Sequence, residues 1–275
     1  MKRTIAGVAV VAGIVQLTAV PAQAASSVDP VKALKVQLAR GNAINVQSTA
    51  KLAYTRDLVI TSGLDGTIEF GPRGAFASDV ARTLHLSDEL LRGVRSQQTE
   101  ALVEGPIRMI SSLGVSYVSG PVVDDALPRD TSWVRYGSAS LPSSNALLEI
   151  LEPATLKTLM AQRTSWRDGV VKGSIKASKI AAVSPAFVST FGARFKSGRD
   201  GKISYTLRLS PNGLAERLSA RAVLPISGRS IQVEADTRYR DWGHRVTVLL
   251  PLEGDVIDRK EVADQVPADA PGTWG

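Results

Sequence analysis

Along the last third of the chain, apolar and polar residues exchange places with strict regularity. Ile203, Tyr205, Leu207 and Leu209 alternate with Lys202, Ser204, Thr206 and Arg208. Past the turn Pro211-Asn212-Gly213, Leu214, Leu218, Ala220 and Ala222 return along a partner strand. Ile231, Val233, Ala235, Thr237 and Tyr239 supply the next inward face, and Val246, Val248 and Leu250 the last. A period of two buries one side of a strand and wets the other, and short turns make neighbours antiparallel.

The first half carries the same signal less evenly. Ile44, Val46, Ala50, Leu52 and Tyr54 alternate with Asn45, Gln47, Thr49 and Lys51; Leu64, Ile68 and Phe70 alternate with Asp65, Thr67 and Glu69. Segments 74–84, 99–110, 114–119, 131–136 and 171–177 read as further strands, giving about ten in all.

Helices are few. Asp29 caps one, with Pro30 in its first turn and Gly41 as its stop. Residues 87–95 read as a helical turn. Between 145 and 162, Pro153 divides a helical pattern into two short helices. Ser184-Pro185 opens a brief helix holding Phe187 and Phe191. From Pro251 the chain loses all period, and 253–275 reads as a mobile acidic, proline-bearing tail.

The fold class is therefore α+β. Ten strands spaced ~4.8 Å make a sheet roughly 48 Å wide, which must curl or split. The helices shield about half of one face, yet the inward residues stay apolar on most strands. Two outcomes fit: a core filled by side chains, or an apolar hollow for a lipid-like ligand.

The leader adds an address. Lys2 and Arg3 precede an apolar run from Ile5 to Val20, then Pro21 and the small-x-small site Ala22-Gln23-Ala24. Residues 1–24 read as a cleavable signal peptide, which predicts a secreted or envelope protein whose main domain spans 25–252. With no cysteine, disulfides, thiolate metal sites and a cysteine nucleophile are excluded.

The formal charge of +7 becomes +5 once Lys2 and Arg3 leave with the leader. That favours weak contact with anionic membrane or wall polymers but is no nucleic-acid signature. Basic residues gather at Arg194, Lys196, Arg199 and Lys202, and again at Arg238, Arg240, His244 and Arg245. Both groups read as solvated loop charge, with a dedicated anion site as the alternative.

No catalytic or cofactor signature emerges, so the expectation is a non-enzyme without cofactor or metal. His85 and His244 stand far apart in sequence, a poor basis for a metal site. Asp65-Gly66-Thr67 and Asp200-Gly201-Lys202 lack the Asp-x-Asp spacing of calcium loops and suit hairpin turns. Ser48-Thr49-Ala50-Lys51, Ser143-Ser144-Asn145 and Lys196-Ser197-Gly198 loosely match the motifs of penicillin-recognising serine enzymes. Strand alternation places Ser48 and Lys51 on opposite faces, which defeats that chemistry.

Several short segments resemble one family. Leu151-Glu152-Pro153-Ala154-Thr155-Leu156 is similar to its Asp-Pro-Ala-Thr-Leu segment, and Ser204 to Leu209 with Gly213-Leu214 to its Tyr-Thr-Leu-Trp-Leu hairpin. Asp236 to Tyr239, Asp241-Trp242-Gly243 and Val246-Thr247-Val248 resemble its closing strands. Arg108-Met109-Ile110, Tyr117-Val118 and Ser132-Trp133-Val134 fit its central ones. Over residues 28–252 the chain resembles the LppX/LprG-type envelope lipoproteins, which share a half-barrel with the LolA/LolB carriers.

That resemblance implies a curved antiparallel sheet with helices on its concave side and a hydrophobic cavity between them. It also implies binding or carriage of lipids across the envelope, here without the family's lipidated cysteine. A sensor or wall-associated domain that binds a partner protein is the alternative. Cavity candidates follow from inward alternation and the helices: Leu34, Leu38, Ile68, Phe70 and Leu148, then Leu156, Met160, Phe187, Phe191, Tyr205 and Leu207. Each is equally explicable as ordinary core.

Overall fold

A computed structural model describes residues 28–270 other than 95, 113, 138–140, 193–194, 196–199, 227 and 263. The expected leader, and Arg194, Lys196 and Arg199 of the first basic group, lie outside the described residues.

Helix α1 (Pro30–Gln37) opens the chain, with the Asp29 carboxylate accepting from Val31 N at 2.9 Å. Three long strands follow: β1 (Asn42–Ala53), β2 (Val59–Gly71) and β3 (Gly74–Leu86). Short helices α2 (Asp88–Gly93) and α3 (Gln97–Glu104) precede β4 (Ile107–Ser112) and β5 (Val115–Ser119). Then come α4 (Pro121–Asp124), β6 (Trp133–Tyr136) and, after an irregular stretch, α5 (Pro153–Ala161).

The second half adds β7 (Arg163–Arg167), β8 (Val170–Lys176), α6 (Ala177–Ala181) and α7 (Pro185–Phe191). It ends with β9 (Lys202–Leu209), β10 (Ala215–Ile226), β11 (Arg229–Arg245) and β12 (Val256–Asp258).

All twelve strands join one open sheet in the order β12-β6-β5-β4-β3-β2-β1-β11-β10-β9-β8-β7. Every pairing is antiparallel except β12 with β6. The closing of β1 on β11 brings the two halves of the chain together at the centre. Register shifts in β1/β11, β2/β3, β9/β10 and β7/β8 are bulges, which bend strands and increase their twist. Gly66 sits where two strands press closely: a Cβ there would strike the backbone of Asp79 and Val80 on β3.

Five expectations need correction. The sheet has twelve strands rather than ten, because β7 and β12 carry too little alternation to read. Residues 99–110 are not one strand: Ser96 Oγ accepts from Thr99 N at 3.1 Å and starts α3, and the strand begins only at Ile107. Of the two helices expected over 145–162, only α5 forms.

The chain also leaves the sheet at Arg245, so Val246, Val248 and Leu250 make no strand; Asp241 and Gly243, with φ of 56° and 76°, form the bulge in β11 just before that point. Beyond Pro251 the chain takes a different course from the expected tail. β12 lies along β6, Arg135 grips Asp258 with bonds of 2.8 and 2.6 Å, and Val262 and Val266 are buried.

Candidate functional site

The sheet has one apolar and one polar face, and cross-strand register fixes both. On the apolar face Tyr239, Val46, Gly66, Val80, Met109, Val118 and Val134 follow one another across seven strands. A second row runs Leu207, Leu218, Thr237, Ser48, Leu64, Arg82, Ile107. Arg82 is a charged side chain in a row whose other polar members are Thr237 and Ser48, and burial pulls its guanidinium below its ordinary 12.5.

The cover on this face comes from 141–162 and 177–192, the segments on either side of β7 and β8. Helix α5 lies over it, with Tyr205 Oη donating to Leu159 O at 2.6 Å. Phe187 of α7 packs against Phe191 and Phe195, ring centroids 5.0 and 5.4 Å apart. Between β6 and α5 the cover has no regular structure, yet Leu147, Leu148, Ile150 and Leu151 are all buried.

A buried polar cluster holds that irregular segment in place. Asn145 Oδ1 accepts from Leu147 N and Leu148 N, both at 3.0 Å, and its Nδ2 donates to Thr237 Oγ1 at 3.0 Å. Thr237 Oγ1 donates to Ser144 O at 2.8 Å and lies 2.9 Å from Ser48 Oγ. Glu149 then ties the loop to itself: Oε1 accepts from Ser144 Oγ at 2.8 Å and Leu151 N at 2.9 Å, and Oε2 from Ser144 N at 2.5 Å. These donors make an irregular course satisfiable, which is why no second helix forms.

No cation partners the Glu149 carboxylate among the described residues. Desolvation raises it above its ordinary 4.5, against the hydrogen bonds from Leu151 N and Ser144. The Tyr239 hydroxyl, 3.1 Å from Ser144 Oγ, is pushed well above 10.0 by desolvation and then by the neighbouring Glu149 charge. The residues of the serine-enzyme motifs are placed otherwise than that chemistry requires: Ser48 is buried against Thr237 and Lys51 is exposed on the other face.

The eleven cavity candidates all belong to one hydrophobic core. Leu34, Ile68, Phe70, Leu148, Leu156, Met160, Phe187, Tyr205 and Leu207 are buried, and Leu38 and Phe191 pack against them half-buried. Phe70 stacks on Trp242, ring centroids 6.0 Å apart. The alternation places Thr237 on an inward face but misses the cluster's other polar members, Ser144, Asn145 and Glu149. One signal was available, a carboxylate at Glu149 inside the apolar run Leu147 to Leu151.

The polar face is itself hollowed. A cavity of about 500 Å³ lies there, lined by Thr49, Thr61, Ser204, Thr206 and Ser219 with Lys51, Arg221, Glu234 and Asp236. Of the second basic group, Arg238 and Arg240 lie on β11 of this face rather than on a loop. No group of His, Asp and Glu able to hold a metal ion occurs among the described residues.

No family model matches the chain, and no curated protein matches it either. Among solved structures it is similar to a LolA superfamily protein from Nitrosomonas europaea, at 6% identity and a TM-score of 0.26. That match covers 79% of this chain and 93% of the other. It is also similar to lipovitellin, solved for its lipid–protein interactions, at 10% identity and a TM-score of 0.23. There the match covers 78% of this chain but only 26% of lipovitellin.

Proposed function

We propose that this protein is exported, binds a lipophilic molecule between the apolar face of its sheet and the cover formed by 141–162 and 177–192, and carries it in the cell envelope. One observation carries this reading: the apolar face runs unbroken across at least seven strands, but short helices and an irregular loop cover it. A face held only for stability is better closed by long regular elements, because an irregular cover must satisfy every backbone group separately. Here the cover leans on a small polar cluster around Thr237, so it can lift locally while the sheet stays intact.

The ligand would replace the side chains of Leu148, Leu156 and Met160 against Leu207 and Tyr205. Burial would drive binding at about 25 cal/mol per Å² of apolar area. Nothing in this chemistry breaks a covalent bond, and no enzyme activity is proposed.

Titration with a fluorescent fatty acid tests it. The full-length protein should bind the probe, and Leu207→Asp, which places a carboxylate on the apolar face, should abolish binding; a folded control is Lys51→Asp on the polar face. Absence of probe binding by the unmodified protein would sink the proposal.

A further inference from the structure

On the polar face, the pairing register lines up arginines from separate parts of the sequence. Arg208 stands opposite Arg217, and Arg217 opposite Arg238, on three successive strands. In the same row Val170 separates Arg208 from Arg167, while Gln47 and Asp65 follow Arg238 on the other side. All four arginines are exposed. With strands ~4.8 Å apart, the row from Arg167 to Arg238 is about 19 Å long.

Like charges directly opposite each other on adjacent strands repel, so this alignment works against the sheet. Asp236 relieves Arg217, with Nε 3.0 Å from both carboxylate oxygens. Arg208 and Arg238 form no ion pair among the described residues. Glu216 lies beside Arg217 in the β9/β10 bulge.

The row borders the 500 Å³ hollow: Thr206, Ser219 and Asp236, which line it, are each two residues along the strand from Arg208, Arg217 and Arg238. Farther in, Lys51 and Arg221 flank Glu234 in register, and Lys172 stands opposite Thr206. Over these three rows, from β7 to β2, seven basic side chains face three acidic ones.

From this we infer that the hollow and its arginine row bind a stretch of a linear phosphate-bearing polymer, independently of the apolar face. Guanidinium forks match phosphate oxygens two at a time, and a row of them suits phosphates repeating along a chain. The hydroxyls of Thr49, Ser204, Thr206 and Ser219 suit the polyol or sugar units between phosphates. A flat membrane surface would meet the arginine row but not the Lys51 and Arg221 charges that line the hollow. Nucleic acid would want aromatic platforms for its bases, and no solvent-facing position in these rows is Phe, Tyr or Trp.

The test is binding of the full-length protein to fluorescently labelled inorganic polyphosphate, followed by anisotropy over a salt series. Polyphosphate should bind, with affinity falling steeply as salt rises. The double variant Arg208→Gln/Arg238→Gln should weaken binding at least ~10-fold and lower the salt slope by about two. Arg56→Gln, in the β1–β2 connection, should leave both unchanged. Failure of polyphosphate to bind, or equal binding by the double variant, overturns the inference. Tighter binding to phosphatidylglycerol vesicles or to oligothymidylate, lost in the same double variant, overturns it as well by naming a different occupant.

Discussion

Asn145 Nδ2 donates to Thr237 Oγ1 at 3.0 Å, a buried bond that fastens the irregular cover to the central strand of the sheet. Thr237 Oγ1 in turn donates to Ser144 O at 2.8 Å, so one hydroxyl holds two points of the cover. Thr237→Val keeps the shape and removes both bonds, leaving the Asn145 amide and a backbone carbonyl unsatisfied. The expected loss is about 2–4 kcal/mol, read as a lower midpoint in urea. A midpoint equal to that of the unmodified protein would show that the cover is held by packing alone.

Glu149 gives the fold a pH dependence with a definite sign. Its folded-state pKa is raised by desolvation, so the folded state holds the proton more tightly than the unfolded chain does. The stability it contributes is fully present below the unfolded value of 4.5 and is lost as pH rises through the raised value. Acidification from neutral pH toward 4.5 should therefore raise the melting temperature relative to Glu149→Gln, whose amide does not titrate. Parallel profiles for the two proteins would contradict this.

Tyr205 links β9 to α5 through its bond to Leu159 O, and Gly173 makes room for it. A Cβ at Gly173 would run into the Tyr205 phenol oxygen. Gly173→Val should therefore destabilise by about 2–4 kcal/mol through overpacking, and Tyr205→Phe by about 1–2 through the lost bond. Because Tyr205→Phe removes the nearest of the atoms that the new side chain would meet, though not the ring carbon or the Gln162 carbonyl, the double variant Gly173→Val/Tyr205→Phe should cost somewhat less than the sum. A strictly additive result in thermal melts would separate the two sites.

The C-terminal strand depends on an exposed ion pair. Arg135 Nε and Nη2 meet the two Asp258 oxygens, and the carboxyl of Asp258 is held below its ordinary 3.8 by those hydrogen bonds. Such pairs add little to global stability, so Arg135→Ala should leave the melting temperature nearly unchanged. It should still expose the segment after Pro251, and cleavage there in limited proteolysis should speed up several-fold. An unchanged cleavage rate would mean that the pairing of β12 with β6 and the burial of Val262 and Val266 hold the segment.

Legibility followed the range of the interactions. β1, β9, β10 and β11 were readable because each alternates over eight or more residues against one wet face. α1 and α7 were readable because Asp29 and Ser184 cap them locally. The loop at 143–152 was not, because its course depends on Thr237, some ninety residues away. β12 was not, because three residues cannot announce that they will extend the edge of β6. The apolar candidates were placed on the buried face, but the hollow formed on the opposite side. The arginine row is invisible in one dimension: its members lie at 167, 208, 217 and 238, and only the pairing register aligns them.

The claim that matters most is that a lipophilic molecule can enter between the cover and the apolar face. Native mass spectrometry of the full-length protein, purified without detergent and then incubated with a fatty acid, tests it most directly. The account predicts a bound adduct of one ligand per chain, more abundant in Thr237→Val, where the cover is loosened, and absent in Leu207→Asp. An unmodified protein that never carries an adduct, in a form that still melts cooperatively, would contradict it.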